Sequence, residues 1–83
     1  MSEEKSNING YEIVLDKTVD GYRVWVYCTI KGNDGLLDVE EGIFDKQKAH
    51  EAFVAYVTWY GKAMYKRFGT RPTEEWRKEH KDW

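Results

Sequence analysis

The sequence predicts an α+β domain of two layers: a three-stranded antiparallel meander packed against one long helix, plus a short C-terminal helix, in the order β-β-β-α-α. Two observations carry this. Residues 11–44 hold three runs in which apolar residues recur at every second position, separated by Gly-bearing turns. Residues 46–68 then switch to apolar residues spaced three and four apart, the period of a helix. A chain of 83 residues with 41% apolar and 34% charged residues can bury one modest core, so residues 10–83 are expected to form a single domain.

Residues 1–9, polar and acidic, are expected to be a flexible tail without a leader-type apolar segment. The first strand starts at Tyr11, with Tyr11, Ile13 and Leu15 on one face. Asp20-Gly21 signals a two-residue hairpin turn, because glycine tolerates the positive φ that such turns need. This register pairs Leu15 with Val26, Ile13 with Cys28 and Tyr11 with Ile30. The second strand spans about 22–31, with Val24, Val26, Cys28 and Ile30 directed to the core. A turn centred on Asn33-Asp34 then leads to a third strand, about 36–44. It pairs Ile30 with Leu37, Cys28 with Val39 and Val24 with Ile43. A three-residue loop with a bulge would instead turn Asp38 and Glu40 toward the core face, and is rejected for that reason.

Asp45 is the expected N-cap of the long helix and Gly69 its C-terminal stop. Lys66 and Arg67 fall in the last turn, where cations suit the helix dipole. The 23 residues between would reach about 34 Å, enough to lie along the whole sheet. The apolar arc of this helix, from Ala49 to Met64 and widened by Trp59 and Tyr65, covers about 240°. A sheet face covers roughly half of that, so a flank must meet another part of the chain, a partner or a second copy. Thr73 caps a short C-terminal helix in which Trp76, His80 and Trp83 share a face. Trp76 docks either near Trp59 and Tyr65 or over the outer face of the sheet.

The chemistry points away from catalysis. The serines are Ser2 and Ser6, both in the expected tail. Cys28 falls on the core face, where a thiol is an inert apolar group. His50 and His80 stand apart, and one Cys with two His forms no metal-ligand spacing. No glycine-rich phosphate loop opens a helix. The expectation is a non-enzymatic protein with no cofactor and no metal. The single cysteine and the lack of a run of about 20 apolar residues point to a cytoplasmic protein with no membrane contact.

The net charge of −2 is divided unevenly: residues 1–45 carry −6 and residues 46–83 carry +4. The expected outer sheet face holds Val14, Trp25, Tyr27, Leu36 and Phe44, rimmed by Glu12, Asp16, Arg23, Asp38 and Glu40. An aromatic centre with a charged rim is the anatomy of a protein interface. Candidate partner-binding residues are therefore Arg23, Trp25, Tyr27, Leu36, Asp38, Glu40 and Phe44. A secondary basic patch comprises Lys62, Lys66, Arg67, Arg71, Arg77 and Lys78.

Three strands followed by a helix, with "YRVWVYCTIK" and then "GIFDKQKAHEAFVAY", resemble the AP2-type and phage-integrase arm-binding domains. That resemblance implies a sheet lying in the DNA major groove, with Arg23, Trp25, Tyr27 and Lys31 at the contact positions. The −6 charge of the sheet half opposes phosphate binding. The expected function is therefore a small protein-binding module, a phage or mobile-element regulator or inhibitor that covers a partner's surface. Its acidic sheet side, from Asp34 to Asp45, would imitate nucleic acid before a nucleic-acid-binding partner. DNA binding is the alternative.

Overall fold

The computed structural model describes residues 2–32 and 34–79. Four strands, β1 (Ser2–Ile8), β2 (Tyr11–Lys17), β3 (Tyr22–Cys28) and β4 (Gly35–Ile43), form an antiparallel sheet in chain order. The helices α1 (Lys46–Gly61), α2 (Tyr65–Phe68) and α3 (Glu74–Glu79) follow. The α+β class is as expected; the strand count, the long helix and two registers are not.

The first correction is β1, which occupies residues expected to be a flexible tail. Its sequence lacks apolar alternation, and its signal is the turn behind it. Asn9 and Gly10 both adopt positive φ, 50° and 84°. Asn-Gly is the pair that a two-residue hairpin turn of this hand favours. The Asn9 side-chain amide also donates to the carbonyl oxygen of Tyr60 at 3.0 Å, tying the turn to the end of α1. At the other end of the strand Glu4 Oε2 lies 2.7 Å from His50 Nδ1.

Between β2 and β3, Leu15 opposes Val24 rather than Val26, and Ile13 opposes Val26 rather than Cys28. The connection is a four-residue loop closed by Thr18 N donating to Gly21 O at 2.7 Å. The shift is an even one, so the same side chains stay inside. Ile13, Leu15, Val24, Val26 and Cys28 are buried, whereas Ile30 lies beyond β3 and is 45% exposed.

Between β3 and β4 the shift is odd in the middle of the strand. Val26 opposes Asp38, Trp25 opposes Val39 and Val24 opposes Glu40. Two irregularities, between Tyr22 and Val24 and between Val26 and Tyr27, make the shift even again at either end, where Tyr22 opposes Ile43 and Tyr27 opposes Leu36. The turn centre at Asn33 lies outside the described residues. Asp38 and Glu40 therefore face the helices, the arrangement rejected from the sequence.

The single long helix is in fact broken. α1 has 16 residues, about 24 Å, close to the length of a seven-residue strand. Asp45 caps it, accepting from Gln47 N at 2.7 Å. It ends in a Schellman motif: Met64 N donates to Trp59 O at 3.0 Å and Ala63 N to Tyr60 O at 3.2 Å. The left-handed residue is Ala63, φ 55°, where glycine is usual. The break lets Tyr65 fold back and stack on Tyr60, with centroids 5.0 Å apart, and meet Tyr11 edge-on at 4.8 Å.

The core lies between the sheet and α1, with Tyr56, Trp59 and Tyr60 at its centre and Trp76 of α3 closing it. Trp76 packs edge-on against Trp59, with centroids 5.1 Å apart, which selects the helix-side docking over the outer-face one. His80 and Trp83 lie outside the described residues.

Candidate binding face and the clamp behind it

The segment after α2 is held to the sheet by side chains. Trp59 Nε1 donates to Gly69 O at 2.9 Å and Tyr60 Oη to Thr70 O at 2.7 Å. Arg71 then forks onto Asp38, with contacts of 3.0 and 2.8 Å, and Arg77 forks onto Glu40, with contacts of 3.0 and 2.6 Å. Between the two forks the Tyr56 hydroxyl shares its proton with Asp38 Oδ2 at 3.1 Å and Glu40 Oε1 at 3.0 Å. Among the described residues no buried polar side-chain atom lacks a partner. This is how two carboxylates can turn inward: each meets a bidentate guanidinium and a buried hydroxyl.

The charges respond accordingly. The Arg71 hydrogen bond holds the Asp38 carboxyl below its usual range. Burial by itself would push the Glu40 carboxyl up, but the bond to Arg77 and its charge outweigh that and the net shift is downward. Tyr56 is driven far above an ordinary phenol, first by burial and then by the two carboxylates beside it.

Arg71 also seals the edge of the sheet. Its Nη2 donates to Val39 O at 2.9 Å, while Val39 N donates to Asp38 Oδ1 at 3.0 Å. Both backbone groups that Val39 turns away from β3 are thus satisfied by side chains. This closes the middle of an edge strand that would otherwise accept a further strand.

The other face of the sheet is built differently. Along β3, Arg23, Trp25 and Tyr27 form one column. Arg23 Cζ lies 4.4 Å from the Trp25 ring centroid. The Tyr27 ring stacks on the other side, 5.8 Å away and inclined by 9°. Arg23 is fixed in turn by Asp16, whose Oδ2 accepts from Nε at 3.1 Å and Nη2 at 3.0 Å. Burial pushes the Asp16 carboxyl up, yet the Arg23 bond and charge bring it below its usual range. Val14 and Val39 lie opposite Trp25 on the neighbouring strands, and Leu36, opposite Tyr27, is 50% exposed. On this face Lys5 Nζ also approaches Glu12 Oε2 at 3.9 Å.

Of the residues singled out from the sequence, the structure gathers Arg23, Trp25, Tyr27 and Leu36 on one face. It removes Asp38 and Glu40 to the opposite face and engages them there. Phe44, 75% exposed, stands past the end of β4 at the lip of a groove of about 540 Å³ between β4, α1 and α3, rather than among the aromatic column. The basic patch divides as well. Arg71 and Arg77 are engaged by the inward carboxylates, whereas Lys62, Lys66, Arg67 and Lys78 are exposed. Lys62, Lys66 and Arg67 have no carboxylate partner among the described residues. The sequence reading missed Val39 on the aromatic face and Tyr56 in the clamp.

Among the described residues no group of three metal-ligating side chains comes together, and no helix is long and apolar enough to cross a membrane. No protein-family model, curated protein or solved structure matches this chain.

Proposed function

We propose that this chain is a binding domain that covers part of a partner protein's surface with the outer face of its sheet, with Trp25 as the anchor. The observation that carries the reading is the preorganised indole. Trp25 is held by Tyr27 and by Arg23, which Asp16 fixes in turn, on the face opposite the helices, among Val14, Val39 and Leu36. A rigid aromatic side chain at the centre of an apolar patch is the usual seat of interface energy. The face has paired its own charges, Arg23 with Asp16 and Lys5 with Glu12, so little field remains to attract a polyanion. Both flat sides of the indole are occupied, which favours contact through its edge with apolar side chains over stacking by a base. The module acts by occlusion, as a regulator or inhibitor of the kind that phages and mobile elements carry. Imitation of nucleic acid is not part of this reading, because Asp38 and Glu40 are turned inward.

A photo-crosslinking residue in place of Leu36 is expected to capture the partner, and one in place of Lys62 is not. Capture from position 62 alone would move the site to the basic end. A second reading, nucleic-acid contact, rests on Lys62, Lys66 and Arg67, which are exposed and without carboxylate partners among the described residues. With three phosphate contacts the logarithm of affinity for duplex DNA would fall with that of salt at a slope of about −3. Absence of binding at low salt would remove this reading.

A further inference from the structure

The segment from Gly69 to Glu79 is attached in a way unlike the rest of the domain. Of its residues only Pro72 and Trp76 are buried. Its helix α3 has six residues, far too few to persist in water by itself. Its polar attachments include the two guanidinium forks, the bonds from Trp59 and Tyr60 to Gly69 O and Thr70 O, the Arg71 bond to Val39 O and the Arg77 guanidinium over the Tyr56 ring. It begins at Gly69, whose φ of 111° and ψ of 179° suit glycine almost alone, a natural pivot. Beneath it lie Trp59 and Tyr56, both almost wholly buried, and the sealed edge at Val39.

We propose that residues 69–79 form a latched strap that opens as one unit while the sheet and α1 stay folded, and that its opening uncovers the β4 edge at Val39. Attachments of this type are lost together. Opening parts the Arg71 and Arg77 forks together with the bonds to Gly69 O and Thr70 O and lifts Trp76 from Trp59; it frees the Val39 carbonyl oxygen, while the Val39 N–H stays with Asp38 of the same strand. The groups that face one another across the latch are Asp38 and Glu40 of β4, Tyr56, Tyr60, Lys48 and Glu51 of α1, and Arg71, Glu74, Arg77 and Lys78 of the strap. Over acid pH the relevant change is protonation of Asp38 and Glu40, which removes the anionic half of both forks. The latch is intact above the ordinary carboxylate range and weakens as pH falls below about 4.

Native-state hydrogen exchange on the full chain tests this. Corrected for intrinsic rates, the amides of Trp76 and Arg77 are expected to exchange about 100-fold faster than those of Ala55 and Tyr56, yet to be clearly protected. The Trp25 amide is expected to follow α1. Arg77→Gln should speed exchange of the strap amides about tenfold. Two results would overturn the proposal. In one, strap and α1 amides exchange at one common rate, which makes the domain a single unit. In the other, strap amides are unprotected at neutral pH, which means there is no latch.

Discussion

The two faces of the sheet use the same kinds of residue to opposite ends. On the inner face aromatic rings, carboxylates and guanidiniums close on one another: Tyr56 sits between Asp38 and Glu40, and each carboxylate carries its own arginine. On the outer face Asp16, Arg23, Trp25 and Tyr27 make a similar set of contacts, but among the described residues no helix covers them. The inner set is consumed in holding the fold; the outer set holds one indole ready. Charge and aromatic content therefore do not distinguish a binding face from a clamp. What distinguishes them is whether the chain returns to cover the residues.

The largest effect should come from breaking the inner set. Glu40→Ala leaves the half-buried Arg77 without its anion, which should cost about 3 kcal/mol in urea unfolding. Its exposed neighbour Glu41 provides the control, and Glu41→Ala should change little. Equal costs at the two positions would mean that Glu40 does not face inward. Tyr56→Phe should cost about 1–2 kcal/mol, because two carboxylates lose one shared donor.

The acid limb of the stability curve separates the faces further. Asp38 and Glu40 have folded values below those of the unfolded chain, so their contribution is complete above the ordinary carboxylate range and is lost as pH falls below about 4. Glu40→Gln should flatten that limb. Tyr56 works in the other direction. Its folded value is raised, so its contribution holds below the ordinary phenol value near 10 and fades above it.

On the outer face Trp25→Ala should cost only about 1 kcal/mol of stability, since the ring is half-buried and packs on a few neighbours. The smallest effect is at the helix end. Ala63→Gly relieves a left-handed alanine and should raise stability by about 0.5 kcal/mol, read as a small increase in melting temperature.

Much of this fold was legible in the sequence. The period-two pattern located β2 and β3 and put Ile13, Leu15, Val24, Val26 and Cys28 inside. The caps at Asp45 and Thr73 were readable, whereas the sequence left the docking of Trp76 open between Trp59 and the outer face of the sheet. Three features were not legible, for physical reasons. β1 is an edge strand of polar residues, so it has no apolar alternation to read; its signal was Asn9-Gly10 alone. The break after Gly61 uses an alanine where glycine would have announced it. The inward turn of Asp38 and Glu40 depends on Arg71 and Arg77, 33 and 37 residues further on, and local pattern favours the opposite register. The site follows the same division. Arg23, Trp25, Tyr27 and Leu36 are near one another along two neighbouring strands and were readable, whereas the loss of Asp38 and Glu40 from their face was decided at long range.

The most direct test is the affinity of the captured partner for the Trp25→Ala variant, with the melting temperature of the same sample measured alongside. The account predicts binding weakened by a factor of about 30 or more, the loss of one central anchor, with the fold retained. Undiminished binding by a folded Trp25→Ala protein would contradict it.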